Sequence, residues 1–168
     1  DAWVDIPVLR RLAEIPNVVA LKEERESMPE FRQIVREVGD RLQIIGAGDA
    51  FLPCYALLGG AGVACSLSNF LPGLYLRMWE AAQAWDYRGL MDLYTRLEQL
   101  SELRRRNGTS LLKAALEILG LAGGPCRTGQ RRMDPADREC LRGLLQVPGL
   151  VDVVSSRGRP GVMSGLAG

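Results

Sequence analysis

Three short apolar runs, at 18–22, 42–47 and 62–66, begin roughly 20 residues apart, and a helical pattern precedes the first and separates each from the next. No other feature limits the fold of this chain as much. Strands joined through helices must cross over, so they lie side by side in one direction and build a parallel α/β sheet. Each run is apolar at consecutive positions, as expected when helices cover one sheet face and a barrel interior fills the other.

The flanking signals agree. Asp5 and Pro7 open a helix over 5–15, with Val8, Leu9, Leu12 and Ile15 as its apolar stripe, and Pro16-Asn17 ends it. Ser27-Met28-Pro29-Glu30 reads as a capping box for a helix that keeps Phe31, Ile34, Val35 and Val38 on one face and stops at Gly39-Asp40. Gly48-Asp49 opens a third helix over 50–58, closed by Gly59-Gly60. From residue 71 the pattern is helical only: 71–84, then 87–106 with Leu90, Leu93, Tyr94, Leu97 and Leu100 facing inward, then 110–119, then a helix capped by Asp134 that runs to about Leu145. Residues 1–70 are therefore expected to hold the strand–helix units and 71–147 a set of carboxyl-terminal helices. Residues 148–168, rich in Gly, Ser, Arg and Pro, read as a flexible tail.

Hydrophobic residues make up 47% of the 168, charged residues 24%, and the net charge is +1, an ordinary globular composition. No basic run is long enough to suggest a nucleic-acid partner, and no apolar stretch approaches the roughly 18 residues that would cross a membrane. The opening Asp-Ala-Trp-Val-Asp lacks the regions of a signal peptide. Cys54, Cys65, Cys126 and Cys140 are not spaced as metal ligands, and the apolar surroundings of Cys54 and Cys65 suit reduced thiols in the cytoplasm. The chain has no histidine, which excludes a Ser-His or Cys-His nucleophile within it and argues against a zinc site.

Lysine is what remains for covalent catalysis. Of 21 basic residues only Lys22 and Lys113 are lysine, and Lys22 closes the first apolar run. Arginine stays charged and cannot condense with a ketone, whereas a lysine whose pKa is lowered by burial can. Position alone also fits a lysine that merely caps a strand and snorkels to water.

Four segments together resemble a known family. Pro16-Asn17-Val18-Val19-Ala20-Leu21-Lys22-Glu23 resembles the imine-lysine segment of the dihydrodipicolinate synthase and N-acetylneuraminate lyase family, and Leu42-Gln43-Ile44-Ile45-Gly46-Ala47-Gly48-Asp49 resembles its next strand and loop. The segment from Gly59 through Cys65-Ser66 to Asn69 resembles its last barrel strand, and the stretch from Ser110 to Arg127 its terminal helical extension. The order and spacing of all four make the likeness specific over about residues 5 to 146.

The resemblance implies an α/β fold: a partial (β/α)8 TIM barrel, its last three βα units, followed by a carboxyl-terminal helical extension. It implies a class I lyase, active on carbon–carbon or carbon–oxygen bonds, that holds a 2-oxo acid such as pyruvate as an imine on Lys22, with an aldehyde as the other small-molecule partner. No cofactor or metal is called for, no nucleic acid or membrane is a partner, and the full-length form is expected to be a homo-oligomer in the cytoplasm. Backbone groups at Gly46, Ala47 and Ala64 match the positions that line the pocket beside the imine. Glu23 and Glu24 are expected in a solvated loop, Asp49 as the cap of the next helix, Lys113 as structural, and Arg127 as a packing or carbonyl-binding residue.

The family's threonine-bearing loop for the substrate carboxylate and its proton-relaying tyrosine have no counterpart; Tyr55, Tyr75, Tyr87 and Tyr94 all fall in predicted helices. Three strands cannot close a barrel. The 168 residues are thus expected to be the carboxyl-terminal part of a longer or truncated enzyme, with little or no turnover alone. Two other readings stand beside this one: a non-catalytic remnant or assembly partner of a full-length homologue, and a sugar-acid dehydratase of the same family.

Overall fold

The computed structural model describes residues 3–127 and 132–151. The protein is an α/β structure, mostly helical, with a small parallel sheet. Strands β1 (Ala20–Glu23), β2 (Gln43–Ala47) and β3 (Gly62–Ala64) pair in the order β1-β2-β3, with Lys22 opposite Ile45 and Ala47 opposite Ala64. Helices α1 (Ile6–Leu12), α2 (Met28–Val38) and α3 (Leu52–Leu57) alternate with them, and α4 (Pro72–Gln83), α5 (Tyr87–Asn107), α6 (Thr109–Ile118) and α7 (Pro135–Leu145) follow. The alternation read from the apolar runs is present. The tail expected at 148–168 lies outside the described residues from position 152 onward.

Local signals account for most boundaries. Asp5 accepts a hydrogen bond from the Val8 amide at 3.1 Å, and Asp134 accepts one from the Ala136 amide at 2.8 Å, each cap contributing about 1 kcal/mol. Three details differ from expectation. Helix α1 ends at Leu12 rather than at residue 15, because the chain turns through residues 13–17 to enter the sheet. The capping box at Ser27 does not form: Ser27 makes no side-chain cap bond, and Glu30 turns instead toward Arg25, 3.8 Å away. The third helix is split, with a 3-10 turn at Asp49–Phe51 before α3.

The two faces of the sheet differ, contrary to the expectation that both are covered. Leu21, Glu23, Ile44 and Gly46 point toward the helices and are buried or half-buried. On the opposite face Ala20, Lys22, Gln43 and Ala64 are exposed and Ile45 is half-buried, because α1, α2 and α3 pack from the other side only; Ala47, at the strand tip, is the buried residue of this face. The core accordingly has two parts. One packs Leu9, Phe31, Ile34, Val38, Leu42, Ile44 and Tyr55 between the sheet and its helices. The other gathers Leu67, Leu74, Met78, Leu97, Leu100 and Leu111 within the helical half, and Val63 on β3 touches both. The inner stripe of α5 is Leu90, Leu97, Leu100 and Leu103, with Leu93 and Tyr94 half-buried. All four cysteines are free thiols.

Candidate active site at the strand tips

Parallel strands direct their carboxyl ends to one edge of the sheet, and side chains from strand ends and following loops converge there. A cavity of about 690 Å³ lies at that edge. Its wall includes Lys22 from β1, Gly48 and Asp49 after β2, Ala64 and Ser66 at the end of β3, and Arg104 from α5. Four elements distant in sequence thus meet around the lysine singled out by its position.

Lys22 is placed in the cavity wall, but it is not dehydrated. Its side chain is 53% exposed and its ammonium lies 3.0 Å from the Glu24 carboxylate. The burial expected for a reactive amine is absent because the sheet face that carries Lys22 is uncovered. Ala64 also reaches the cavity. Gly46 and Ala47 are buried at the end of β2, and the cavity wall passes through Gly48 and Asp49 instead. The Ala47 carbonyl accepts the hydroxyl of Tyr55 at 2.7 Å, and a side chain at position 46 would strike the same ring. Gly48, at φ +111°, adopts a backbone conformation that strains other residues and turns Asp49 toward β3.

Asp49 does not cap its own helix. Its carboxylate accepts three hydrogen bonds from the far side of the cavity: Ser66 Oγ at 2.5 Å, the Leu67 amide at 3.0 Å and the Tyr75 hydroxyl at 2.6 Å. Arg104 Nε completes the chain by donating to Ser66 Oγ at 2.9 Å. This network ties the loops after β2 and β3 to α4 and α5. Burial, reinforced by the Asp49 charge, drives the Tyr75 hydroxyl far above its ordinary pKa. Burial first and Asp49 second push the Cys65 thiol up to about 12, so it stays protonated and is no nucleophile at neutral pH.

Glu23, expected in solvent, is only 5% exposed. It sits on the face of β1 opposite Lys22 and takes Arg25 in a forked pair, Nε to Oε1 at 2.9 Å and Nη2 to Oε2 at 2.8 Å, while Oε1 also accepts the Arg25 amide at 2.8 Å. Burial opposes the charge of Glu23, the Arg25 hydrogen bonds outweigh it, and its carboxyl lies below the ordinary value. The pair holds the loop that carries Glu24 beside Lys22. Lys113 donates to the Gly123 carbonyl at 2.9 Å, a structural bond closing the turn after α6. Arg127 is exposed rather than packed.

The sequence reading missed Ser66, Tyr75 and Arg104. One signal was available: Ser101, Arg104 and Arg105 recur at helical spacing beside the apolar stripe of α5, and all three reach the cavity. Among the described residues, no group of three or more His, Cys, Asp or Glu side chains is arranged to hold a metal ion.

The chain is similar to the 4-hydroxy-tetrahydrodipicolinate synthase of Methanoculleus marisnigri, 31% identical over 140 residues that span 82% of this chain and 48% of that protein. It is similar to a probable 5-dehydro-4-deoxyglucarate dehydratase of Rhizobium meliloti, 32% identical over 81% of this chain and 48% of the relative. Among solved structures, dihydrodipicolinate synthase from Aquifex aeolicus superposes with a TM-score of 0.76 at 26% identity, covering 87% of this chain and 50% of that one. The chain spans about half the length of the curated relatives it matches. The family model of the Dihydrodipicolinate synthetase family matches residues 2–146, nearly the whole described chain, and the protein belongs to that family.

Proposed function

We propose that Lys22 is the imine-forming residue of a carbon–carbon or carbon–oxygen lyase acting on a 2-oxo acid such as pyruvate. In this reading β1 to β3 are the last three strands of a (β/α)8 barrel, and residues 71–147 are its helical extension. The observation that carries the proposal is the position of Lys22: the carboxyl end of a parallel strand, in the wall of a cavity at the strand tips, in a member of this family.

The chemistry follows from the amine. The free amine of Lys22 adds to the ketone carbon, and loss of water leaves a protonated imine. The cationic nitrogen accepts the electron pair of a neighbouring C–H or C–C bond: either a proton leaves, or the hydroxyl on the departing carbon gives its proton to solvent as that carbon leaves as an aldehyde, and an enamine remains. The reverse steps join carbon to carbon. No cofactor enters this scheme. Of the three small residues expected beside the imine, Ala64 reaches the cavity and leaves room for the substrate, whereas Gly46 and Ala47 lie buried behind its wall. The exposed face around Lys22 makes slow turnover the expectation for these 168 residues alone, since water competes with every step that dehydration of the site would favour.

The test is borohydride trapping. Incubation with pyruvate and borohydride should give a reduced adduct on the Lys22 peptide by mass spectrometry and none in Lys22→Ala. An adduct confined to Lys113, or none at all, refutes the assignment, and rapid aldol turnover by this chain refutes the slow-turnover part.

The Rhizobium meliloti relative supports a second reading of the same imine, dehydration of a sugar acid. Consumption of 5-dehydro-4-deoxyglucarate in preference to aldol cleavage would select it. The uncovered sheet face supports a third, an assembly partner of a full-length homologue, which light scattering of the mixture would reveal as a joint species.

A further inference from the structure

The charges on the cavity wall are not equally engaged. Lys22 is paired with Glu24, and Arg105 is paired with Glu102 at 2.6 Å and lies largely in solvent. Asp49 is satisfied by three donors. Arg104 is half-buried, and its only side-chain hydrogen bond among the described residues is from Nε to Ser66. Its two Nη groups have no carboxylate partner there. Glu26, the remaining acid on the wall, is exposed and forms no ion pair with it. The Ser66 bond, anchored in turn by Asp49, tethers the guanidinium at Nε, and Arg104 lines the cavity shared with Lys22.

We propose that Arg104, supplied by the helical half of the chain, is the specificity-determining residue that binds a carboxylate at the far end of the substrate held by Lys22. A planar fork suits a carboxylate, which it can grip through two parallel N–H···O bonds. Substrates with a second carboxylate are therefore selected over those that end in a methyl group. Ser66 and Asp49 act through Arg104, as positioning residues.

The proposal rests on the Lys22 imine, and the experiment separates the two. The purified chain is incubated with matched 2-oxo acids, 2-oxoglutarate against 2-oxopentanoate and 2-oxoadipate against 2-oxohexanoate, and the imine is trapped with borohydride. For at least one pair the distal carboxylate should lower the half-saturating concentration about tenfold, the size of a charge-assisted hydrogen bond. Arg104→Gln should bring that ratio to about one. Arg104→Lys keeps the charge without the fork; it should give an intermediate ratio and serves if the glutamine variant does not fold. A ratio near one in the unaltered chain, or a ratio that Arg104→Gln leaves unchanged, overturns the proposal while the imine stands. If no oxo acid is trapped, the imine reading fails and succinate decides the arginine by itself. Saturable shifts of the Ser66 and Leu67 amide signals in NMR that vanish in Arg104→Gln uphold it; their absence overturns it.

Discussion

Gly46 and Tyr55 offer the sharpest test of how the strand tips are built. Gly46 lies on the helix-facing side of β2, and a methyl group there would fall on the Tyr55 ring. That ring is 1% exposed, stands 4.6 Å from Phe31 and 6.2 Å from Phe51 between centroids, and its hydroxyl holds the Ala47 carbonyl at 2.7 Å. Gly46 does not have a left-handed backbone, so alanine is conformationally allowed and the cost of Gly46→Ala is steric. Displacing a packed ring costs about 1–3 kcal/mol and losing its buried hydrogen bond about 1 more, while removing a glycine from the unfolded chain returns about 0.5–1. The net destabilisation is about 1–3.5 kcal/mol, centred near 2, or a fall of roughly 1 M in the urea midpoint. In a Tyr55→Leu background the methyl group meets space instead of a ring, and the same substitution should cost less than about 0.5 kcal/mol, a coupling of about 2 kcal/mol. Circular dichroism of the four proteins in urea measures all of this. A Gly46→Ala variant as stable as its parent, or one equally destabilised in both backgrounds, would refute the steric argument.

The remaining predictions concern the carboxylates. The folded pKa of Glu23 is lowered, so the stability it contributes is full above its ordinary value of 4.5 and is lost as pH falls through the folded value. Glu23→Gln takes the forked carboxylate from a largely buried Arg25, which keeps only the looser Glu30 at 3.8 Å, and should cost about 2–4 kcal/mol at pH 7, a cost that shrinks as pH falls below 4.5 and through the lowered folded value; a difference in urea midpoint that stays constant as pH falls would dismiss the ion pair as its source. Tyr75→Phe removes one of three donors to Asp49 and should cost about 1–2 kcal/mol of stability without shifting the pyruvate-trapped site away from Lys22. A thermal melt coincident with the parent's would mean that the Tyr75 hydroxyl adds nothing to the network.

The alternation of strands and helices was legible because each element announces itself locally. Period-two or continuous apolar runs mark β1 to β3, the repeat of Leu90, Leu97 and Leu100 marks α5, and Asp5 and Asp134 cap helices only a residue or two away. Lys22 was legible for a similar reason, as a rare lysine at the end of an apolar run, and the family likeness of its segment required only order and spacing. Such signals act over a few residues and survive in one dimension.

What tertiary structure decided concerns partners far apart in the chain. The capping box at Ser27 is the local exception: it failed because Glu30 is drawn toward Arg25, only five residues away and itself held by Glu23. Asp49 became the hub of the strand tips rather than a helix cap because β3 and α4 bring Ser66, Leu67 and Tyr75 within reach of its carboxylate. Arg104 entered the cavity only because α5 packs beside those tips, 38 positions from the serine it holds. Most telling is Lys22, whose place at a strand end follows from sequence while its hydration does not. Dehydration depends on what covers the opposite sheet face, and a local pattern of apolar residues carries no information about a layer contributed from elsewhere.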